Sequence, residues 1–234
     1  MKAVILAAGR GTRMPEITKE IPKCLIEIGE KTILERQIEI LLKNSIEKIF
    51  VVIGYKADKV RDKIRDKIEN IENLELIINK EYATTDNIYS LHLTRDKVRG
   101  GEFILLNGDV VFEEDIIKNI VNEREKDVAP IDSKYYDLEE LKIMEKNGLI
   151  VEILPKAASE EISSGSTIGI FKFSSEGSIM LFDEIEKLIG KNIKNEWFEY
   201  ALNNILKKIK MYKMDIHGLK WIEIDNMEDI KKAQ

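Results

Sequence analysis

The stretch that decides the fold is the amino-terminal segment MKAVILAAGRGTRM, residues 1–14. Its apolar run, Ala3–Leu6, has the pattern of a short parallel strand that is buried on both faces. The run passes directly into a loop that contains Gly9 and Gly11. Open parallel sheets bind ligands beyond the carboxyl ends of their strands, and glycines there let backbone N–H groups approach phosphate oxygens. The segment therefore predicts a buried strand followed by an anion-binding loop.

Strand-like and helix-like segments alternate through the first half of the chain. The predicted strands are Ala3–Leu6, Lys48–Ile53, Leu74–Ile78 and Glu102–Leu106, and the predicted helices are Ile33–Lys43, Asp58–Glu69, Asn87–Val98 and Glu113–Lys126. This order predicts an α/β fold with a doubly wound, mainly parallel sheet that carries helices on both faces.

The alternation of predicted strands and helices changes after about residue 127. The further predicted elements are a strand at Ile168–Phe173 and helices at Ser178–Ile189, Trp197–Lys207 and Met227–Ala233. Asn147-Gly148 separates two apolar runs and predicts a β-hairpin. A second hairpin is predicted where His217-Gly218 separates Lys210–Asp215 from Lys220–Ile224. We expect one domain over residues 1–234, with a first part over approximately 1–126 and an antiparallel elaboration over approximately 127–234.

The composition excludes several classes of protein. The chain has 37 Lys and Arg against 43 Asp and Glu, so its net charge of -6 argues against a nucleic-acid-binding protein. The single cysteine excludes a disulfide framework and a cysteine-built zinc site. No apolar run approaches the roughly 18–20 residues of a membrane span, so we expect no membrane insertion and a cytoplasmic protein. The charged fraction of 34% is typical of a thermophile's ion-paired surface.

The glycine loop is accompanied by two cations, Arg13 and Lys23. Cations around a glycine-rich turn suit a nucleoside triphosphate, whose charge must be offset before another anion approaches. The dinucleotide-binding pattern fails because Met14 stands where a third small residue is needed, and Gly29–Thr32 lacks the Gly-Lys pair of a P-loop. The alternative is an ordinary strand-to-helix turn with solvated basic side chains.

Two aspartates follow strand-like runs. Asp109 comes after the strand at Glu102–Leu106, and Asp225 comes after Trp221–Ile224. Because both stand at carboxyl ends of predicted strands, their carboxylates can meet on the ligand-binding edge and hold Mg²⁺, a cation that prefers oxygen ligands. The alternatives are that Asp109 is a turn residue and that Asp225 caps the terminal helix.

These motifs together resemble the signature of the sugar-phosphate nucleotidyltransferase superfamily. The resemblance is carried by Leu6–Met14 followed by Pro22-Lys23-x-Leu25, and it extends to Asn107–Asp109 and Trp221–Asp225. Within the superfamily the chain most resembles small cytidylyltransferases, such as phosphocholine and inositol-1-phosphate cytidylyltransferases, on the strength of Asn87–Leu91. The resemblance implies a nucleotide-diphospho-sugar transferase-like fold, with a nucleotide-binding first part and an acceptor-binding second part.

The implied reaction is a Mg²⁺-dependent transfer of CMP from CTP to a small phosphorylated acceptor, with release of pyrophosphate. The acceptor would be inositol phosphate, phosphocholine or a related alcohol phosphate or phosphonate. The residues expected to carry the reaction are Arg13, Lys23 and Asp109, with Asp109 and Asp225 as metal ligands. The residues expected to bind the nucleotide are Leu6, Ala7, Ala8, Gly9, Gly11, Thr12, Arg13, Lys23, Asn87 and Ser90. The residues expected to bind the acceptor are Lys156, Glu196, Trp197 and Glu223.

The sequence leaves two other functions open. One is a sugar-1-phosphate nucleotidyltransferase that uses UTP, dTTP or GTP, and the other is a nucleotide-sensing module without turnover. For Trp197 the alternative to acceptor binding is a side chain that fills the core, and for Lys156 it is a surface lysine. The sequence admits a homodimer and does not identify the acceptor.

Overall fold

The computed structural model describes residues 1–67, 71–134 and 140–234. Its strands are β1 (Lys2–Ala7), β2 (Glu27–Ile28), β3 (Lys31–Thr32), β4 (Lys48–Ile53), β5 (Leu74–Ile78), β6 (Phe103–Asn107), β7 (Val110–Phe112), β8 (Asp127–Asp132), β9 (Lys142–Lys146), β10 (Leu149–Leu154), β11 (Ser166–Thr167), β12 (Ile170–Phe173), β13 (Met211–Asp215) and β14 (Trp221–Glu223). Its helices are α1 (Pro15–Thr18), α2 (Ile33–Lys43), α3 (Ala57–Lys67), α4 (Asn87–His92), α5 (Arg95–Val98), α6 (Glu114–Asn122), α7 (Ser175–Gly190), α8 (Phe198–Ile205) and α9 (Met227–Ala233). The last residues of the helix predicted over Asp58–Glu69 lie outside the described residues.

A ten-stranded sheet forms the centre of the molecule, in the order β11-β9-β10-β13-β8-β12-β6-β1-β4-β5. The four strands β6, β1, β4 and β5 run parallel, with Ile5 opposite Val51 on one side and Leu106 on the other. Strand β12 joins this half to the second half by antiparallel pairing with β6 and β8. The predicted doubly wound α/β fold is confirmed, and its antiparallel elaboration continues the same sheet.

Alternating residues of β1 pack into two separate hydrophobic cores. Val4 and Leu6 pack in the core that includes residues of α4, α7 and α8, whereas Ala3 and Ile5 pack in the core beneath α2, α3 and α6. Because successive side chains of a strand point to opposite faces, an unbroken apolar run is needed where helices cover both faces. The uninterrupted run at the amino terminus follows from this burial. No helix among the described residues is long and apolar enough to cross a membrane.

The Asn147-Gly148 hairpin is confirmed. Strands β9 and β10 pair antiparallel, and both turn residues have positive φ, 54° for Asn147 and 79° for Gly148. This backbone conformation is the one that asparagine and glycine tolerate in a two-residue hairpin turn.

The second predicted hairpin, at His217-Gly218, is wrong. Strand β13 runs parallel to β8 in the main sheet, while β14 leaves that sheet and pairs antiparallel with β7. The physical reason is that each strand has a more distant partner: β13 inserts between β10 and β8, which buries Met211 completely. The turn therefore carries the chain from the main sheet to the end of β6, and this path brings the last acidic residues to Asp109.

Candidate active site

A cavity of about 320 Å³ opens at the carboxyl ends of β1 and β6. It is bounded by the glycine loop, the start of α4, the Asp109 turn and the end of β14. The predicted residues that line it are Leu6, Ala7, Ala8, Gly9, Gly11, Thr12, Arg13, Lys23, Asn87, Ser90, Asp109, Lys156, Trp197, Glu223 and Asp225. Of the predicted site residues only Glu196 is missing from this lining; it is exposed, and its backbone carbonyl accepts a hydrogen bond from Ile88.

The glycine loop, residues 8–14, packs closely against the segment that carries Lys23. Gly11 has a φ of 61°, and a Cβ at this position would lie 2.8 Å from Thr18 Cγ2 and 3.2 Å from Lys23 Cβ. Thr18 Oγ1 donates hydrogen bonds to the carbonyl oxygens of Gly11 at 2.9 Å and Met14 at 2.8 Å. Glycine is required here both by the conformation and by the close approach. Met14, the residue that breaks the dinucleotide pattern, is buried in a small core with Ile224.

Three carboxylates converge below this loop. Oxygen atoms of Asp109, Glu223 and Asp225 all lie within 4.8 Å of one another. Lys23 Nζ donates to Asp109 Oδ2 at 2.6 Å and to Asp225 Oδ1 at 2.7 Å. The guanidinium of Arg13 pairs with the other carboxylate oxygen of Asp225. The structure thus places the predicted cations and the predicted acids in direct contact.

Asp225 is not the cap of the terminal helix. The side chain of Asn226 caps α9 by accepting from the backbone N–H groups of Glu228 and Asp229, and Asp229 completes a capping box. The backbone N–H of Asp225 donates to Asp229 Oδ2 at 2.9 Å, so its own carboxylate is left for the acidic cluster. Burial opposes ionisation of this carboxylate, but Lys23, Arg13 and Lys156 together outweigh burial and lower the pKa of Asp225.

Lys23 remains an ammonium in this setting. Burial acts to lower its pKa, but the charges of Asp109 and Asp225 act in the opposite direction and leave the pKa of Lys23 raised. An ammonium that touches two carboxylates offsets their mutual repulsion, which would otherwise disfavour bringing them together. Lys23 therefore makes the close approach of the acids possible before any other cation is bound.

Glu140 is a lining residue that the sequence analysis missed. It is buried, and burial raises its pKa to about 7. A hydrogen bond joins it to Glu223, whose pKa is raised well above the ordinary value by burial and by the charge of Asp109. A hydrogen bond between two carboxyl groups requires that one of them keep its proton. No local pattern singles out Glu140, because it reaches Glu223 only through the tertiary fold.

An aromatic and a basic side chain, Trp197 and Lys156, lie together in the cavity wall. Lys156 Nζ stands 5.6 Å from the centre of the Trp197 ring. Trp197 is 39% exposed, so it is not a core side chain, and Lys156 is only half-exposed at the cavity wall. The alternatives that treated Trp197 as core filler and Lys156 as an ordinary surface lysine therefore do not describe these residues.

Glu199 takes the place in the cavity wall that the sequence analysis gave to Glu196. It lies in the first turn of α8 and is 5% exposed. Burial raises its pKa to about 7, and a side-chain hydrogen bond joins it to Asn87. The sequence cannot distinguish the two glutamates without the start of α8, because the N-cap at Trp197 decides which residue of the first turn faces inward.

Asn79 is another missed lining residue, at the carboxyl end of β5. Its side-chain amide donates to Thr85 Oγ1 and to Ser90 Oγ, both at 3.1 Å. The bond to Ser90 ties the end of β5 to α4. Its position directly after a parallel strand was the available sequence signal.

The chain belongs to the MobA-like NTP transferase domain family, whose pattern matches residues 3–141. It is therefore a nucleotidyltransferase, as the amino-terminal signature predicted. The chain is 28% identical to CTP:phosphoglutamine cytidylyltransferase of Campylobacter jejuni, over 99% of this chain and 98% of that protein. It is also 30% identical to the bifunctional protein GlmU of Methanococcus vannielii, over 100% of this chain but only 54% of that protein.

Among solved structures, the fold is similar to that of CTP:phosphocholine cytidylyltransferase from Streptococcus pneumoniae. The TM-score is 0.79 at 21% identity, over 99% of this chain and 96% of that one. This likeness confirms the fold expected from the resemblance to small cytidylyltransferases.

Proposed function

We propose that the protein transfers CMP from CTP to a small phosphorylated acceptor, such as inositol phosphate, phosphocholine or a related alcohol phosphate or phosphonate, and releases pyrophosphate. The observation that carries this proposal is the convergence, in one cavity, of the glycine loop, of Lys23 and Arg13, and of the carboxylates of Asp109 and Asp225. Cations at that point suit a triphosphate, and the same cavity provides Lys156 for a second phosphate.

CTP is favoured over other nucleoside triphosphates by similarity to a cytidylyltransferase over nearly the whole chain. On the polar wall of the cavity, hydrogen bonds within the protein fix Asn79 and Asn87, and the Ser90 hydroxyl lines the cavity beside them. Side chains of this kind both donate and accept hydrogen bonds, as recognition of the amino and carbonyl groups of cytosine requires.

Mg²⁺ fits the residues present. Asp109, Glu223 and Asp225 supply carboxylate oxygens close enough to share one ion, and Mg²⁺ prefers oxygen ligands from one or two carboxylates together with phosphate oxygens. We assign Asp109 and Asp225 as its ligands. When bound, the ion would offset negative charge on the triphosphate. Lys23 and Arg13, once the acids hold a metal, would be available to the phosphate oxygens.

The reaction needs few further groups from the protein. An oxygen of the acceptor phosphate forms a bond to the α-phosphorus of CTP, the bond from the α-phosphorus to the bridging oxygen breaks, and pyrophosphate leaves with that electron pair. The attacking oxygen is already anionic at neutral pH, so no general base is required. No histidine lies among the described residues that line the cavity. Positioning and electrostatic stabilisation by Lys23 and Arg13 therefore account for the chain's part in the reaction.

The test is pyrophosphate release with CTP, UTP, dTTP and GTP, each combined with phosphorylated acceptors in the presence of Mg²⁺. We expect release with CTP to exceed release with the other nucleotides. A preference for UTP, dTTP or GTP with a sugar 1-phosphate would replace this proposal by the sugar nucleotidyltransferase alternative. No release with any pair would favour the nucleotide-sensing alternative.

A further inference from the structure

One oxygen of a buried carboxyl group in the cavity wall has no hydrogen-bond partner. Among the described residues, Glu199 Oε2 is buried and makes no hydrogen bond, although the Glu199 side chain is joined to Asn87. Asn87 is itself fixed, because its Oδ1 accepts from the backbone N–H of Phe198 at 2.7 Å. Buried polar groups are almost always satisfied, and an unsatisfied one costs free energy. The free oxygen of Glu199 can therefore accept a hydrogen bond from a molecule bound in the cavity.

The charges around Glu199 indicate what kind of donor this is. The start of α4 presents Asp86, and the loop after β10 presents Lys156. Helix α7, which packs against α8, contributes Glu184, whose carboxylate is already bonded to Lys187 and Asn204. Glu196, on the strand-to-helix approach to α8, is exposed.

Negative charge outweighs positive charge around Glu199. Glu199 and Asp86 are the acidic groups there, and Lys156 is the single lysine or arginine among the described lining residues outside the glycine loop and Lys23. The acceptor's phosphate needs a cation, and Lys156 supplies one. The acidic groups repel an acceptor that is only anionic, whereas they attract the positive charge of an acceptor that also bears a cation.

We propose that Glu199 selects acceptors that carry a primary ammonium group, and that it binds this group through its unpartnered carboxylate oxygen. The inference rests on the proposed function and adds to it the chemical class of the acceptor: a phosphate monoester or phosphonate with an N–H cation. A quaternary ammonium has no N–H to donate, and a hydroxyl group has no charge. Neither group can both donate a hydrogen bond to the free oxygen of Glu199 and offset the negative charge of the acidic side chains.

Binding of such an acceptor also displaces a proton. With a pKa near 7, Glu199 is about half protonated at neutral pH, and an ammonium in contact with it favours the carboxylate. The proton passes to the solvent as the acceptor binds. A hydroxyl-bearing acceptor gives no such release, because it does not require the ionised form.

The first experiment compares three acceptors of similar size with CTP: phosphoethanolamine, phosphocholine and 2-hydroxyethyl phosphate. We expect the lowest KM for phosphoethanolamine. Glu199→Gln, which keeps the size and the bond to Asn87, should raise that KM roughly 10- to 100-fold and leave the KM for 2-hydroxyethyl phosphate within about twofold. Glu184→Gln, a matched buried glutamate outside the cavity, should change neither KM.

The outcomes separate this inference from the proposed function. Turnover that favours phosphocholine or 2-hydroxyethyl phosphate, or an equal KM change for all acceptors in Glu199→Gln, would overturn the role of Glu199 and leave a cytidylyltransferase. Absence of pyrophosphate release with every acceptor would instead count against the proposed function.

The second experiment does not depend on turnover. Calorimetry of phosphoethanolamine binding in buffers of different ionisation enthalpy measures protons released per site. We expect about half a proton at pH 7 for the natural protein and none for Glu199→Gln. Equal proton release by both proteins would overturn the inference even if the KM values changed.

Discussion

At the scale of single residues, we propose that Lys23 has two roles that depend on the same atom. Its Nζ contacts both Asp109 and Asp225, at 2.6 and 2.7 Å, and it lines the cavity in which we expect the triphosphate to bind. The two roles follow from charge alone, because an ammonium can exchange carboxylate partners for phosphate partners. This exchange explains how a site can be electrostatically satisfied before the substrates arrive and still bind them.

Lys23→Met should therefore lower turnover strongly. Removing one preorganised electrostatic group from an active site costs about 2.7–4 kcal/mol of barrier, so we expect kcat to fall about 100- to 1000-fold in the pyrophosphate-release assay. Lys31→Met removes an exposed lysine that, in the part of the chain that the structure describes, pairs with Glu39, and it should keep the natural kcat. Equal kcat values for the two variants would contradict the role of Lys23.

Glu199 should make the stability of the protein depend on pH. Its pKa is raised from 4.5 to about 7 by burial, so the folded protein holds this proton more tightly than the unfolded chain. The resulting stabilisation is complete below about pH 4.5 and is lost as the pH rises through about 7.

Denaturant unfolding at pH 5 and pH 8 measures this effect. We expect the loss of unfolding free energy between these pH values to be smaller in Glu199→Gln than in the natural protein, by up to about 3 kcal/mol. The same pH dependence in both proteins would show that Glu199 ionises freely and is not buried as described.

At the scale of elements, the pairing of β14 with β7 is what assembles the acidic cluster. Glu223 lies opposite Val110, and the backbone N–H of Ile224 donates to the carbonyl oxygen of Asp109 at 3.0 Å. The capping box of α9 then fixes the chain directly after Asp225. Two short strands about a hundred residues apart in the sequence thus determine the separation of the carboxylates.

This arrangement predicts that a helix cap supports catalysis. Asn226→Ala removes the cap of α9, which should cost about 1 kcal/mol of stability and also lower kcat, because Asp225 precedes the cap. Thr32→Ala is the matched control, since Thr32 caps α2 through the same kind of capping box and does not line the cavity.

Thermal unfolding and pyrophosphate release, measured on both variants, provide the test. We expect similar losses of stability and a fall in kcat only for Asn226→Ala. A similar kcat in the two variants would mean that the α9 cap does not position Asp225.

At the scale of the whole molecule, the sequence predicted those features that depend on local patterns. The buried parallel strands were found because burial on both faces demands apolar runs such as the one in β1, and the β9–β10 hairpin was found because Asn147-Gly148 favours its turn. The β14–β7 pairing was missed because it joins segments about a hundred residues apart, and no local pattern records such a partner. Glu140 was missed as a site residue for the same reason.

The charged surface gives a prediction about the entire fold. Ion pairs link separate elements, for example Lys97 of α5 with Glu75 of β5 and Arg95 of α5 with Glu186 of α7. Networks of this type gain importance at high temperature, so we expect a Tm above the roughly 45–65 °C range of mesophile domains in a calorimetric scan. A Tm within that range would remove the thermophile interpretation of the composition.

We propose that Asp225, Asp109 and Lys23 act together on a bound nucleoside triphosphate. Pyrophosphate release from CTP by Asp225→Asn tests this joint role, with Asp183→Asn as the control, which removes the charge of an exposed aspartate paired with Arg99. We expect Asp225→Asn to lose at least about 100-fold in kcat and Asp183→Asn to keep the natural rate. Near-natural turnover by Asp225→Asn would rule out the joint role.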